Sequence, residues 1–138
     1  MVQWGDMDAL GHVNNTVMFR WFESSRIALL EEFGISSALG RLKLGPILAA
    51  TSCDYRRQLH YPDDVTLTSR VTRLGRSSMT VQHACFSQQQ DALAADGDSV
   101  VVIFDFAKQR PVRIPDEVRN LIFQFQPELA AKESEQDQ

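Results

Sequence analysis

Several things are scarce in this chain, and each scarcity narrows its function. Cysteine occurs twice, at Cys53 and Cys85, both inside stretches of strand character. Two cysteines without metal-type spacing argue against a disulfide framework or a zinc knuckle, and both read as reduced core residues of a cytoplasmic protein. The three histidines, His12, His60 and His83, are too scattered to form a ligand pattern, so no metal site is expected. No block of Lys and Arg appears and the net charge is −4, which disfavours a nucleic-acid partner. No apolar run approaches the ~20 residues that span a bilayer, and the opening residues lack a signal-peptide pattern. No membrane partner is expected, and neither a repeat nor a linker is visible.

What remains is ordinary globular composition: 138 residues, 43% hydrophobic and 23% charged. A chain of this length forms one domain and buries about two-thirds of its unfolded surface. Val2-Gln3-Trp4 reads as the end of a strand that begins abruptly, so the expectation is that the native start, or part of a first strand, lies upstream. From Asn15 or Thr16 to about Phe33 the apolar residues recur at helical spacing. They occupy nearly every face in the N-terminal half, the mark of a helix inside a core. Gly34 is placed to end it.

After Gly45-Pro46 the period changes to that of strands. Ile47–Leu59 is one candidate, closed by a turn at Tyr61-Pro62-Asp63-Asp64. Val65, Leu67, Ser69 and Val71 alternate with polar residues in the next, up to a turn at Leu74-Gly75-Arg76. In Ser78–Gln88, Met79, Val81, His83 and Cys85 share one side. A turn near Gln89-Gln90-Asp91 leads to a long strand ending at Phe106, with Asp96-Gly97-Asp98 as an expected bulge or kink. A short helix is predicted from Pro115 to Phe125. One apolar helix followed by four antiparallel strands implies a curved sheet around the helix. A single chain cannot cover that helix completely, so a homodimer is expected.

The most informative stretch is Trp4 to Asn15, where two carboxylates sit on a Gly-containing turn just before the helix. A carboxylate beside unpaired backbone N–H groups supplies what attack on a carbonyl needs: a base or nucleophile, and an oxyanion site. Asp6 and Asp8, two apart, point in opposite directions if extended. Asp8 is the better placed, because Gly11 lets the backbone turn and approach a ligand. The competing reading is that Asp8 or Asn14 simply caps the helix. His12 and Asp6 read as scaffolding, and Glu23 as the ion-pair partner of Arg26 at i,i+3 spacing. Arg76-Ser77-Ser78 and Arg110 combine cations, hydroxyls and loop N–H groups, a phosphate-binding chemistry.

The segment Trp4-Gly5-Asp6-Met7-Asp8-Ala9-Leu10-Gly11-His12-Val13-Asn14-Asn15, with Phe19, Glu23 and Arg26, resembles the start of hotdog-fold acyl-CoA thioesterases of the 4-hydroxybenzoyl-CoA thioesterase type. Cys53-Asp54-Tyr55-Arg56-Arg57, Pro62-Asp63-Asp64, Leu74-Gly75-Arg76-Ser77-Ser78 and Arg110-Pro111-Val112-Arg113-Ile114-Pro115 continue the likeness, which runs from Val2 to about Phe125. The resemblance implies an α+β hotdog domain over residues 1–126 and homodimers with two sites at the interface, often paired into tetramers; residues 127–138 read as a polar tail whose Lys132–Gln138 part is solvated. It implies hydrolysis of an acyl-CoA thioester, with coenzyme A as part of the substrate and no separate cofactor. The catalytic carboxylate would be Asp8, acting as nucleophile or general base. The Asn15 N–H would polarise the carbonyl, Gly11 would shape the turn, and Arg76, Ser77, Ser78 and Arg110 would hold the nucleotide phosphates. Met18 stands where many relatives carry an aromatic; with Trp21, Phe22 and Met79 it is a candidate acyl-pocket or core residue. The rival readings are a hydratase or dehydratase using His12 with Asp8, and a non-catalytic acyl-CoA-binding module.

Overall fold

The computed structural model describes residues 1–131; the expected solvated tail Lys132–Gln138 lies outside the described residues. A 3-10 turn at Trp4–Asp6 precedes α1 (Asn15–Glu32) and α2 (Ile35–Arg41). Then come β1 (Leu44–Thr51), β2 (Asp54–Tyr55), β3 (Val65–Leu74), β4 (Ser78–Ser87), β5 (Ala92–Asp105), β6 (Arg110–Pro111) and α3 (Asp116–Phe125). The strands form one curved antiparallel sheet in the order β1-β5-β4-β3, with β2 and β6 also paired to β5. The expected helix-in-a-curved-sheet architecture is the observed one.

Four local readings differ from the expectation. Val2–Trp4 is not a strand: the Asp6 carboxylate reaches back to the Gln3 N–H at 2.9 Å and closes a 3-10 turn. Ile35–Arg41 is a helix that the sequence pattern did not reveal, started from Gly34 at φ +79°. The strand expected over Ile47–Leu59 begins three residues earlier and breaks after Thr51 into β1 and β2. Asp96-Gly97-Asp98 is not a bulge, since these residues pair in register with Ala84, His83 and Gln82. The extra residue is Ala94, between Leu93 and Ala95. Gly97 instead admits a crossing chain, because a Cβ there would stand 2.0 Å from the Ser52 carbonyl oxygen.

The core has two apolar clusters, one at each end of α1. The first gathers Leu29 and Leu30 of α1, Ile35 and Leu39 of α2, Val71, Met79, Val81, Val101 and Ile103 from the sheet, and Val118 and Ile122 of α3. Leu129 joins it, so packing continues past residue 126. The second gathers Val13, Val17, Met18, Phe22, Leu59, Cys85, Ala94 and Ala95 around the N-terminal half of α1. On the outer side of α1, Phe19 and Ile27 remain exposed. Edge strand β1 is open from Pro46 to Thr51 on both faces, with Ile47 and Leu48 uncovered.

A polar belt lies between the clusters. His83 of β4, fully buried, bonds Ser69 of β3 through Nδ1 at 2.6 Å and Ser99 of β5 through Nε2 at 2.9 Å. From α1, Ser25 joins Ser69 at 2.5 Å, and Arg26 donates to Ser99 at 3.2 Å. Phe22 stacks on the imidazole with centroids 4.8 Å apart. Arg26 therefore turns inward, and the expected Glu23–Arg26 ion pair does not form among the described residues. Both ring nitrogens are bonded to hydroxyls, and a hydroxyl can donate to one imidazole nitrogen and accept from the other, so the neutral ring is satisfied on both sides.

Candidate active site

Residues 7–13 form a loop closed by the Met7–Val13 bridge. Inside it the Asp8 N–H donates to the His12 carbonyl at 2.9 Å and the Gly11 N–H to the Asp8 carbonyl at 3.1 Å. Gly11 sits at φ +82°, a conformation a side chain would strain. The Asp8 Oδ1 accepts the Leu10 N–H at 2.9 Å, and Oδ2 lies 3.8 Å from the His12 Nδ1. Asp8 is thus not the helix cap. That task belongs to Asn14, whose Oδ1 accepts the Thr16 N–H at 2.9 Å and the Thr16 hydroxyl at 2.8 Å. Asp6 is scaffolding: it is buried, accepts from Arg20 at 2.9 Å, and its carbonyl takes the Asn14 N–H at 2.9 Å.

With the cap assigned to Asn14, the first helical N–H is that of Asn15, and no acceptor for it is present among the described residues. It stands at the positive end of an eighteen-residue helix. The Asn15 carbonyl is held by the Tyr55 hydroxyl at 2.5 Å. Burial, with Cys53 nearby, pushes Tyr55 up to about 12, so this donor keeps its proton at all ordinary pH. His60, remote in sequence, donates to the Gly11 carbonyl at 3.1 Å and fixes the loop. Neither Tyr55 nor His60 stood out in the sequence, because their contacts cross forty residues or more.

A cavity of about 290 Å³ opens at this point, walled by His12, Asn15, Met18, Tyr55, Arg57 and Leu59 among others. Asp8 is not part of the wall of the single chain; His12 is, and the Asp8 carboxylate lies next to it. Of the apolar candidates only Met18 lines the cavity. Phe22 stacks on His83, and Met79 belongs to the far cluster.

The phosphate-binding candidates stand at the other end of the sheet. Gly75 and Ser78 close the β3–β4 turn at 2.8 Å with Arg76 exposed in it, and exposed Arg110 lies on β6, paired with Asp105 of β5. Arg119 of α3, buried, pins the turn by donating to the carbonyls of Gly75 at 2.6 Å and Arg76 at 3.0 Å. Seven strand steps from Ser78 to Cys85 put roughly 24 Å between this turn and the cluster beside the cavity. One protomer therefore brings Asn15, Gly11 and Asp8 together and sets Arg76, Ser77 and Ser78 in the β3–β4 turn, with Arg110 on β6, but it does not join the two groups. Among the described residues no set of three His, Cys, Asp or Glu side chains could hold a metal ion.

The chain is similar in sequence and fold to known proteins. The Thioesterase-like superfamily profile matches residues 2–122. The PA2801 protein of Pseudomonas aeruginosa is 32% identical, with 88% of this chain and 92% of that one covered at a TM-score of 0.76. A Thermus thermophilus thioesterase, solved in complex with coenzyme A and Zn, is 30% identical, with 89% and 88% covered at a TM-score of 0.75. YsmA of Bacillus subtilis is 27% identical over 82 residues; that match spans 59% of this chain but only 54% of YsmA. The chain belongs to the thioesterase-like superfamily and is a thioester hydrolase of the hotdog fold.

Proposed function

We propose that this chain hydrolyses an acyl-CoA thioester to a carboxylic acid and free coenzyme A, with Asp8 as the reacting carboxylate. The observation that carries the reading is the Asn15 N–H, without an acceptor at the head of α1, opening into a cavity one loop away from Asp8. The thioester carbonyl oxygen rests on that N–H, where the helix dipole stabilises the charge that develops on it. Asp8 then acts by one of two routes. As nucleophile it bonds to the carbonyl carbon, the C–S bond breaks, and water cleaves the resulting anhydride. As general base it takes a proton from a water whose oxygen attacks instead. In both, coenzyme A leaves as a thiolate, so no strong general acid is required.

The coenzyme A bound to the Thermus relative supports the substrate class. The distance between the two residue groups supports an assembly in which the phosphates of coenzyme A meet the partner's Arg76, Ser77 and Ser78, with Arg110 beside them. A second copy pairing along the open β1 edge would cover Ile47 and Leu48, and two such dimers would make a tetramer. The test is thiol release from a panel of acyl-CoA esters by the wild type and by Asp8→Asn and Asp8→Ala. Both variants should keep the wild-type circular dichroism spectrum and lose at least ~100-fold in kcat, the scale of general acid–base catalysis. Near-wild-type turnover by clean Asp8→Ala protein would refute the role of Asp8. His12 at 3.8 Å from Asp8 also offers an acid/base pair for hydration; water addition to an enoyl-CoA without thiol release would favour that reading.

A further inference from the structure

Two consecutive arginines follow β2, and they have different fates. Arg56 is neutralised: its Nε and Nη2 donate to the two Asp96 carboxylate oxygens at 3.0 and 3.1 Å. Arg57 has no ion-pair or hydrogen-bond partner for its guanidinium among the described residues, and it lines the cavity at the head of α1. The backbone arranges this, because the N–H groups of both residues donate to the same Ala94 carbonyl, at 2.8 and 3.0 Å. The chain there leaves strand alternation, so one side chain goes to Asp96 and its neighbour stays uncommitted.

The rest of the wall is consistent with an anionic visitor. No acidic side chain lines the cavity, and the positive end of α1 faces the same space. Met18 and Leu59 supply an apolar stretch beside the Asn15 N–H, as a short acyl chain would require. A guanidinium fork matches a carboxylate through two parallel hydrogen bonds. The phosphates of coenzyme A are a poor match to this position. The pantetheine arm, a series of extended peptide-like links, carries them farther from the thioester carbonyl than a cavity of about 290 Å³ reaches.

Resting on the hydrolase reading above, we propose that Arg57 recognises a carboxylate at the far end of the acyl group, so that the favoured substrates are thioesters of short dicarboxylic acids. Glutaryl-CoA and pentanoyl-CoA have the same carbon count and differ by that terminal carboxylate. The wild type should prefer glutaryl-CoA in kcat/KM by roughly tenfold to a hundredfold, the worth of one charge-assisted contact. Arg57→Gln should collapse the ratio toward unity, and Arg57→Lys should recover part of it. The same ratio measured on N-acetylcysteamine thioesters, which lack phosphates, should persist in the wild type and collapse in Arg57→Gln. Equal hydrolysis of the two CoA esters by the wild type overturns the proposal alone. A loss in Arg57→Gln that is the same for both CoA esters and absent with N-acetylcysteamine also overturns it, since the cation would then be reading phosphate. Hydrolysis of none of these thioesters by the wild type overturns the hydrolase reading itself.

Discussion

Acidification should expose the buried imidazole between the two core clusters. His83 is lowered from 6.5 to about 4, first by its removal from water and then by the Arg26 cation. Serines face it from β3 and β5, so Arg26 is the one charge among the described groups around it, and it repels a second positive charge. The folded chain therefore holds the neutral ring, while the unfolded chain takes up a proton first as pH falls through 6.5. The stabilisation is complete above pH 6.5, declines by about 1.4 kcal/mol per pH unit, and is gone near pH 4, a total of roughly 3 kcal/mol. Urea unfolding followed by tryptophan fluorescence from pH 7.5 to 4 measures it, with His83→Gln as the comparison. Gln keeps a donor and an acceptor but does not titrate. Its own cost of about 1–3 kcal/mol at neutral pH comes from imperfect bonds to Ser69 and Ser99. Carboxylates titrate in both proteins and cancel in the difference. The stability of the wild type relative to the variant should fall by roughly 3 kcal/mol from pH 7 to 4, so that the two curves meet or cross. Parallel curves would refute the assignment of a buried neutral His83.

Two further outcomes follow from single contacts. Gly97→Ala places a methyl against the Ser52 carbonyl and should cost about 1–3 kcal/mol, read as a lower urea midpoint at unchanged m; a midpoint within error of wild type would show that the crossing chain moves freely. Tyr55→Phe removes the bond to the Asn15 carbonyl, worth about 1 kcal/mol in stability, and should lower kcat more than it raises KM by loosening the first turn of α1. An effect on KM alone would place Tyr55 in substrate binding instead.

Much of the frame was legible because periodicity reports burial. The inward row Met79, Val81, His83, Cys85 is buried as its alternation implied, and α1 begins and ends within a residue of its expected limits. Ile35–Arg41 escaped notice because seven residues give too few turns for a period to show. The bulge expected at Asp96-Gly97-Asp98 lies at Ala94 for a different reason. A glycine needed for a close chain crossing looks the same in sequence as one needed for a bulge. At the site, the turn residues were legible as chemistry but their supports were not. Arg119, His60 and Tyr55 act over forty residues or more, and nothing local marks them. The belt did leave a trace: three adjacent strands each carry a polar residue in the middle of the inward row, in Leu67-Ser69-Val71, Val81-His83-Cys85 and Gly97-Ser99-Val101.

That trace bears on how the sheet chooses its pairing. Inward–outward alternation punishes a slip of one residue, which turns every side chain to the wrong face, but it is indifferent to a slip of two. A two-residue slip of β4 would keep the apolar rows facing α1 while setting His83 opposite Leu67 or Val71. Its nitrogens would then lie unbonded in a dry interior, at a cost of about 1–3 kcal/mol for each stranded group. Ser69 and Ser99 would each lose the bond to His83 in the same step. The belt thus distinguishes registers that hydrophobicity alone leaves equal, and α1, through Ser25 and Arg26, can dock fully on only one of them.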